Sequence, residues 1–321
     1  MASISLTDGI ALPETFEGLP RIATSAVDTD VLAALYSDAS GPWIKLGERW
    51  ERATDPSGDA IIILCDRAGG TKTLPKFRMS WSGVIFAVSP HGEWALAQRG
   101  RRLGTDDDTP DIAIFDATGS PTHAFDAGGN IEFLQIAGDR SVWIGHGDDD
   151  PADGIKLGGV SHFSPDGTEI FYRDCAARPD TPQVSFETGI PFWCCYALNV
   201  CGQVAWTQHY DSMLITRFEP DGNARSWITE ENGAKALAVS GSTIARIGRY
   251  DEKQHQVSVF RLGQPPHSEF VGRLSLDIDG WQPKYPDWID GKGDTFHIVH
   301  DSKWYRITLD DILSHIGARN G

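Results

Sequence analysis

Apolar residues recur in short runs, and almost nowhere do they fall at helical spacing over a useful length. AIIILCD (60–66), VIFAVSP (84–90), DIAIFD (111–116), EIFYRD (169–174), MLITRFE (213–219) and QVSVFRL (256–262) are rich in β-branched and aromatic residues. Each is bounded by turn formers. The pattern predicts a chain built mostly of short β-strands. A helix is expected only near the end, in DDILSHIGA (310–318), after the strand KWYRITL (303–309).

The turns repeat. Arg67-Ala-Gly69, Ala117-Thr-Gly119, Pro165-Asp-Gly167, Pro220-Asp-Gly222 and Leu262-Gly263 close successive units at intervals of 50, 48, 55 and 42 residues. A second series, SPHGEW (89–94), AGDRSVW (137–143), VCGQVAW (200–206) and VSGSTIA (239–245), interleaves with the first. Two interleaved turns per unit mean four strands per unit. A four-stranded antiparallel unit at this period hides its two apolar faces only by stacking on its neighbours around an axis, which is the sequence form of a β-propeller blade.

We therefore expect an all-β chain folded as a single β-propeller domain over residues 1–321, with about six blades near 20–78, 79–127, 128–174, 190–230, 233–273 and 280–316. The last blade lacks an outermost strand, and the N-terminal SISLTDGIAL (3–12) is positioned to supply it and close the ring. Between Val84 and Arg261 the FSPDG and FEPDG turns resemble those of the NHL, WD40 and YncE-like β-propeller superfamily. The pair NIEFLQI (130–136) and CYALNV (195–200) further resembles a group of bacterial propellers. The resemblance implies architecture. Propellers host binding, lyase, lactonase and oxidoreductase roles alike, so it carries over no functional residue.

Charge narrows the partners. With 45 acidic and 28 basic residues the formal charge is −17, which repels nucleic-acid phosphate and anionic lipid. Arg99, Arg101 and Arg102, and Lys45, Arg49 and Arg52, form no basic stripe and read as solvated loop charge. The start of the chain has no targeting pattern, and no apolar run reaches the roughly 18 residues of a membrane span. The expectation is a soluble, cytoplasmic protein without nucleic-acid or membrane partners. Five cysteines, Cys65, Cys175, Cys194, Cys195 and Cys201, read as reduced thiols.

The segment CYALNVCGQVAWTQHYD (195–211) raises the alternatives of a thiol-metal site and one hairpin of the repeat. No Cys-x-x-Cys or His-x-x-His spacing accompanies it, so the cysteines read as small buried hydrophobes. Trp94, Trp143 and Trp206, in second strands, read as core between sheets.

Candidate chemistry gathers where inner strands converge. IEFLQI, CYALNV and AKALAV place Glu132, Tyr196 and Lys235 at equivalent positions of three consecutive blades. Gln135, Asn199 and Ala238 follow three residues on, and strict alternation puts them on the opposite face unless the strands are bulged. Glu132 and Lys235 either neutralise each other, with Tyr196 completing a plug, or form with His209 an acid–base set for hydrolase or lyase chemistry. Gln135, Asn199, Tyr210, Trp193 and His146 are the candidate ligand-contacting residues. Asp106, Asp108, Asp148 and Asp150 lie in acidic loop clusters on one face and are the candidate Ca²⁺ ligands. Neither cluster has an alternating Asp-x-Asp-x-Asp-Gly pattern, so solvated acid is the first reading and a metal the second. No nucleophile elbow, P-loop or dinucleotide fingerprint occurs. The sequence thus points to a module that binds a protein or small ligand at the channel mouth and acidic loop face, and alternatively to a cation-assisted hydrolase or lactonase or a lyase.

Overall fold

A computed structural model describes residues 2–38, 43–46, 49–52, 58–79, 84–98, 110–147, 156, 158–173, 195–209, 214–229, 233–248, 255–278 and 288–317. Among the described residues its strands form six main sheets, antiparallel except for one parallel edge strand, and a separate two-stranded hairpin. Blade 1 contains Leu19–Ala26, Val31–Ser37 and Gly58–Asp66, with Thr71–Thr73 and Phe77–Met79 sharing the outer edge. Blade 2 contains Val84–Val88, Trp94–Gln98, Ile112–Phe115 and Pro121–Phe125. Blade 3 contains Ile131–Ile136, Val142–His146, Val160–Phe163 and Glu169–Arg173. Blade 4 contains Cys195–Cys201, Val204–His209, Leu214–Phe218 and Ala224–Ile228. Blade 5 contains Ala236–Ser240, Thr243–Ile247, Gln256–Leu262 and Ser268–Ile278, and blade 6 contains Trp288–Lys292, Thr295–His300 and Lys303–Thr308.

Each blade's first strand is innermost. It lies against the first strand of the next blade, and the sixth returns to the first. Six separate apolar clusters fill the six blade interfaces. The blade 6–1 contact holds Leu32, Tyr36, Val299 and Trp304, and the blade 5–6 contact holds Val257, Leu274, Phe296 and Ile307. Because no interface lacks a core, the sheets close as a six-bladed β-propeller. Second strands are buried on both sides, as in the run Leu32 to Ser37, whereas the outer strand Pro121–Phe125 is mostly exposed.

The repeated turns share one hydrogen-bonding scheme. Gly69, Gly119, Gly167 and Gly222 all take φ between +81° and +84°, and each amide donates to the carbonyl three residues earlier. A side chain there is strained by its own backbone. Two of these glycines also dock the blades, since a Cβ on Gly167 would lie 2.6 Å from Phe125 and one on Gly222 would lie 2.9 Å from Phe171. In each case the aromatic belongs to the preceding blade's outer strand.

Tryptophans at the start of second strands stack on their cross-strand partners: Trp94 on Phe115 at 3.8 Å, Trp143 on His162 at 4.0 Å, and Trp206 beneath Arg217 at 5.7 Å. They are buried, as expected, but not all on one face. Trp94 packs toward blade 1 and Trp143 toward blade 4.

The N-terminal segment closes the ring by serving two blades. Ile10–Ala11 pairs antiparallel with Lys303–Thr308 and completes blade 6, while Ala2–Leu6 runs parallel to Ser268–Ile278 as a fifth strand of blade 5. The stretch between residues 37 and 59, read from sequence as a loop, carries a small hairpin of Trp43–Leu46 and Arg49–Arg52. The only helix among the described residues is Leu309–Gly317, too short to cross a membrane. Thr308 caps it, accepting from the Asp311 amide at 3.1 Å while its own amide donates to the Asp311 carboxylate. Ile316 on this helix sits so close to blade 5 that a Cβ on Gly272 would lie 2.7 Å from it.

Among the glycines of the described residues the closest approach is at Gly291, where a Cβ would lie 1.7 Å from the Leu237 carbonyl oxygen. Backbone of blade 5 occupies that space and cannot rotate away. We expect Gly291→Ala to destabilise the fold by about 3 kcal/mol in urea unfolding, at the upper end of overpacking costs. An unfolding midpoint equal to that of the parent chain would contradict the close approach.

Candidate functional site

The inner strands enclose a cavity of about 660 Å³ on the axis. Its wall includes Glu132 from blade 3, Tyr196 from blade 4 and Lys235 from the start of blade 5's inner strand. The three residues aligned from sequence therefore share one cavity. Across from them the wall is mixed, with Arg21, Ile22, Thr24 and Ser25 from blade 1, Ile85 from blade 2, and Trp288, Ile289 and Asp290 from blade 6.

Local backbone explains why these side chains reach the channel. An inner strand's two faces pack on neighbouring blades, so its regular positions serve the interfaces. The strand registers slip between Arg21 and Ala23, between Ile131 and Phe133, and between Cys195 and Ala197. Each slip leaves one extra residue, respectively Ile22, Glu132 and Tyr196, outside the strand register in a bulge that re-aims its side chain. The same bulges reset the alternation, so that Gln135 also lines the cavity.

Glycines make room for two charged stems. A Cβ on Gly147 would lie 2.8 Å from Glu132 Cγ, and one on Gly248 would lie 2.9 Å from Lys235 Cγ. Gly147 is fixed by its neighbour Asn130: its amide donates to the Asn130 carbonyl at 2.8 Å, and its carbonyl accepts from the Asn130 amide side chain at 2.7 Å. Upstream, the buried Asp111 carboxyl accepts the Ala127 and Gly129 amides at 2.6 and 2.8 Å, holding the chain that leads into Glu132. Burial pushes the Asp111 carboxyl up to about 6, those two amides pull it down, and Asp126 adds to the rise.

A polar bridge crosses the axis at the other end of the inner strands. Gln135 Nε2 lies 3.1 Å from the Leu198 carbonyl in blade 4, and 3.0 and 3.1 Å from the Gly291 carbonyl and Asp290 Oδ1 in blade 6. Its oxygen accepts the Val200 amide at 2.9 Å. Asn199 makes the companion link, donating to the Leu237 and Gly293 carbonyls at 2.7 and 2.8 Å and accepting the Gly293 amide at 3.0 Å. Lys292 donates to the Ile136 carbonyl at 3.1 Å. Gln135 and Asn199, expected to meet a ligand, are thus bonded across the channel, joining blades that stand apart in the ring.

Sequence reasoning missed Asp290, Lys292 and the part of the wall that blades 1, 2 and 6 supply. The signal was WIDGKGD (288–294), where two carboxylates, an ammonium and two glycines break the apolar pattern that other inner strands keep. Burial raises the Asp290 carboxyl to about 7, against the pull of the Gly291 amide and the Lys292 ammonium, and burial likewise lowers Lys292.

Other candidates stand off the cavity wall. His146 is fully buried within blade 3, its Nδ1 2.9 Å from the Gly129 carbonyl and its Nε2 2.8 Å from Ser161 Oγ. A carbonyl only accepts, so Nδ1 carries the proton and Nε2 takes the serine hydroxyl's, while Lys156 donates to that hydroxyl. Burial drives this imidazole down to about 3 and keeps it neutral. His209 is also buried, 3.0 Å from Thr207 Oγ1. Tyr210, Trp193, Asp106, Asp108, Asp148 and Asp150 lie outside the described residues. Among the described residues no group of three His, Cys, Asp or Glu is arranged to hold a metal ion. Cys195 is buried, donating to the Ala197 carbonyl at 3.4 Å, and burial holds its thiol protonated.

Asp290 gives the bridge a pH signature. Its folded pKa lies above the usual carboxylate value of 3.8, so the folded chain holds this proton from about pH 4 to 7 while the unfolded chain does not. The contribution is full at low pH and is lost as pH rises through 7. Asp290→Asn removes that dependence. Relative to the parent chain the variant should gain on the order of 2 kcal/mol in urea unfolding between pH 5 and pH 7. A difference independent of pH would contradict the buried acid.

Similar architectures occur among solved structures. Hsv2 with its loop 6CD replaced by a Gly-Ser linker matches at a TM-score of 0.50 and 11% identity, over 88% of this chain and 75% of that one. Agrobacterium tumefaciens regucalcin, described as a calcium-binding protein, matches at 0.49 and 11%, over 96% and 95% of the two chains. Virginiamycin B lyase from Staphylococcus aureus matches at 0.46 and 10%, over 93% and 97%. No family model matches the chain, and neither does any curated protein. At such low identity the match at 0.50 speaks to the fold alone.

Proposed function

We propose that this propeller is a binding module that takes a small amphipathic organic molecule in the channel mouth, with Glu132, Tyr196 and Lys235 contacting its polar part. The observation that carries the reading is the cavity of about 660 Å³, whose wall mixes apolar side chains with convergent polar ones. That volume lies within the roughly 300–1,000 Å³ of drug-sized ligand sites. The bridge of Gln135 and Asn199 gives the cavity a fixed floor, so the site is largely formed before a ligand arrives. Ile22 is 40% exposed there, an apolar surface that a ligand would cover.

Saturation-transfer NMR with amphipathic aromatic acids, amines and neutral alcohols tests this reading. We expect transfer to at least one class, and its loss in Ile22→Trp, which fills the cavity from a bulged, half-exposed position. Absence of transfer across all three classes, or equal transfer to the variant, would count against the channel as the binding site.

A further inference from the structure

One acid stands at the floor of the cavity. Asp290 and Gln135 both border it, and Asp290 is half-buried there. The Gly291 amide donates to Asp290 Oδ1 at 2.8 Å, Gln135 Nε2 approaches the same oxygen at 3.1 Å, and the Ala26 amide adds a further pull. Gln135 gives only a share, since its two N–H groups face three acceptors, Asp290 Oδ1 and the Leu198 and Gly291 carbonyls. Lys292 on the same strand donates to the Ile136 carbonyl at 3.1 Å and to Gln135 Oε1 at 3.4 Å, and favours the carboxylate through space alone.

An ionised carboxylate has about four acceptor sites. The protein fills fewer than that, so solvent reaching the cavity supplies the rest. A molecule that occupies the cavity expels this solvent, which penalises the carboxylate and spares the neutral acid. The other titratable groups around it are Arg21 from blade 1, Glu132 from blade 3, Cys195 and Tyr196 from blade 4, Lys235 from blade 5 and Lys292 from blade 6, while blade 2 brings Val84, Ile85 and Phe86. Glu132, Tyr196 and Lys235 have interactions of their own, and burial keeps the Cys195 thiol protonated. Asp290 is therefore the group whose ionisation the solvent in the cavity decides.

We propose, resting on the binding reading above, that Asp290 couples the cavity to pH: an uncharged or anionic molecule binds there together with one proton, which the Asp290 carboxylate takes from solvent. In the open cavity burial has already raised this carboxyl to about 7. Occupancy raises it further, so affinity is full below pH 7 and is lost progressively as pH rises through it. A cationic molecule compensates the carboxylate instead and binds without the proton.

The probes 2-phenylethanol, phenylacetate and 2-phenylethylammonium each keep one charge state between about pH 6 and 8, so any pH dependence belongs to the protein. In isothermal titration of the full chain we expect the alcohol and the acid to bind on the order of tenfold more tightly at pH 6 than at pH 8. Heats in buffers of different ionisation enthalpy should show a proton taken up with each. Asp290→Asn, which keeps the oxygen that Gln135 meets, should remove both effects. Should that variant fail to fold, proton uptake by the parent chain still decides. Equal affinity for the alcohol and the acid at both pH values, or a pH dependence that survives in Asp290→Asn, would overturn the coupling while leaving a binding cavity. Binding of the ammonium alone would do the same. Silence with all three probes would also overturn it, and would take the binding reading with it where NMR transfer is absent too.

Discussion

A sheet of four short strands has two apolar faces and no third element to cover them, and that constraint governs this molecule. Each face must be hidden by another sheet of the same kind, so the arrangement ends only when the last blade meets the first. The interface of Tyr36, Val299 and Trp304 is where it ends here. Both termini reinforce it, the N-terminal segment by adding edges to blades 5 and 6 and the C-terminal helix by covering Gly272. Closure brings six inner strands around one axis, and at Gly291 it brings them so near that only hydrogen fits.

The site follows from the same geometry. Regular inner-strand positions are spent on the interfaces, as Leu134, Leu198 and Leu237 are. Glu132 and Tyr196 reach the channel by way of a bulge, and Lys235 from just ahead of its strand. Where the strands approach most closely, polar side chains instead tie the backbones together. Gln135 meets blades 4 and 6 at once, and such a buried amide is favourable because each of its polar atoms finds a partner. One end of the channel is therefore bridged and the other is left as a cavity.

Much of this was legible in the residues. The turn glycines announce their positive φ through Pro-Asp-Gly and Thr-Gly, and their spacing yields the blades because one turn recurs at one place in each. Glu132, Tyr196 and Lys235 could be aligned because their strands share a turn register. Legibility failed where side chains act across the axis. Alternation reports which face a residue takes, but not that Asn199 reaches Gly293 in blade 6 or that His146 closes a chain of hydrogen bonds inside its own sheet. Those contacts join residues remote in sequence, or depend on a tautomer, and neither leaves a local pattern. Bulges were likewise invisible, since a single unpaired residue does not disturb composition.

Amide hydrogen exchange tests the bridged channel most directly. The Val200 and Gly293 amides donate to the side chains of Gln135 and Asn199 rather than to a neighbouring strand. If the bridge holds, both exchange as slowly as ladder amides of the inner strands, opening only with the fold. Exchange of these two at the rate of the exposed turn amides, with the ladders still protected, would show an open channel and contradict the account.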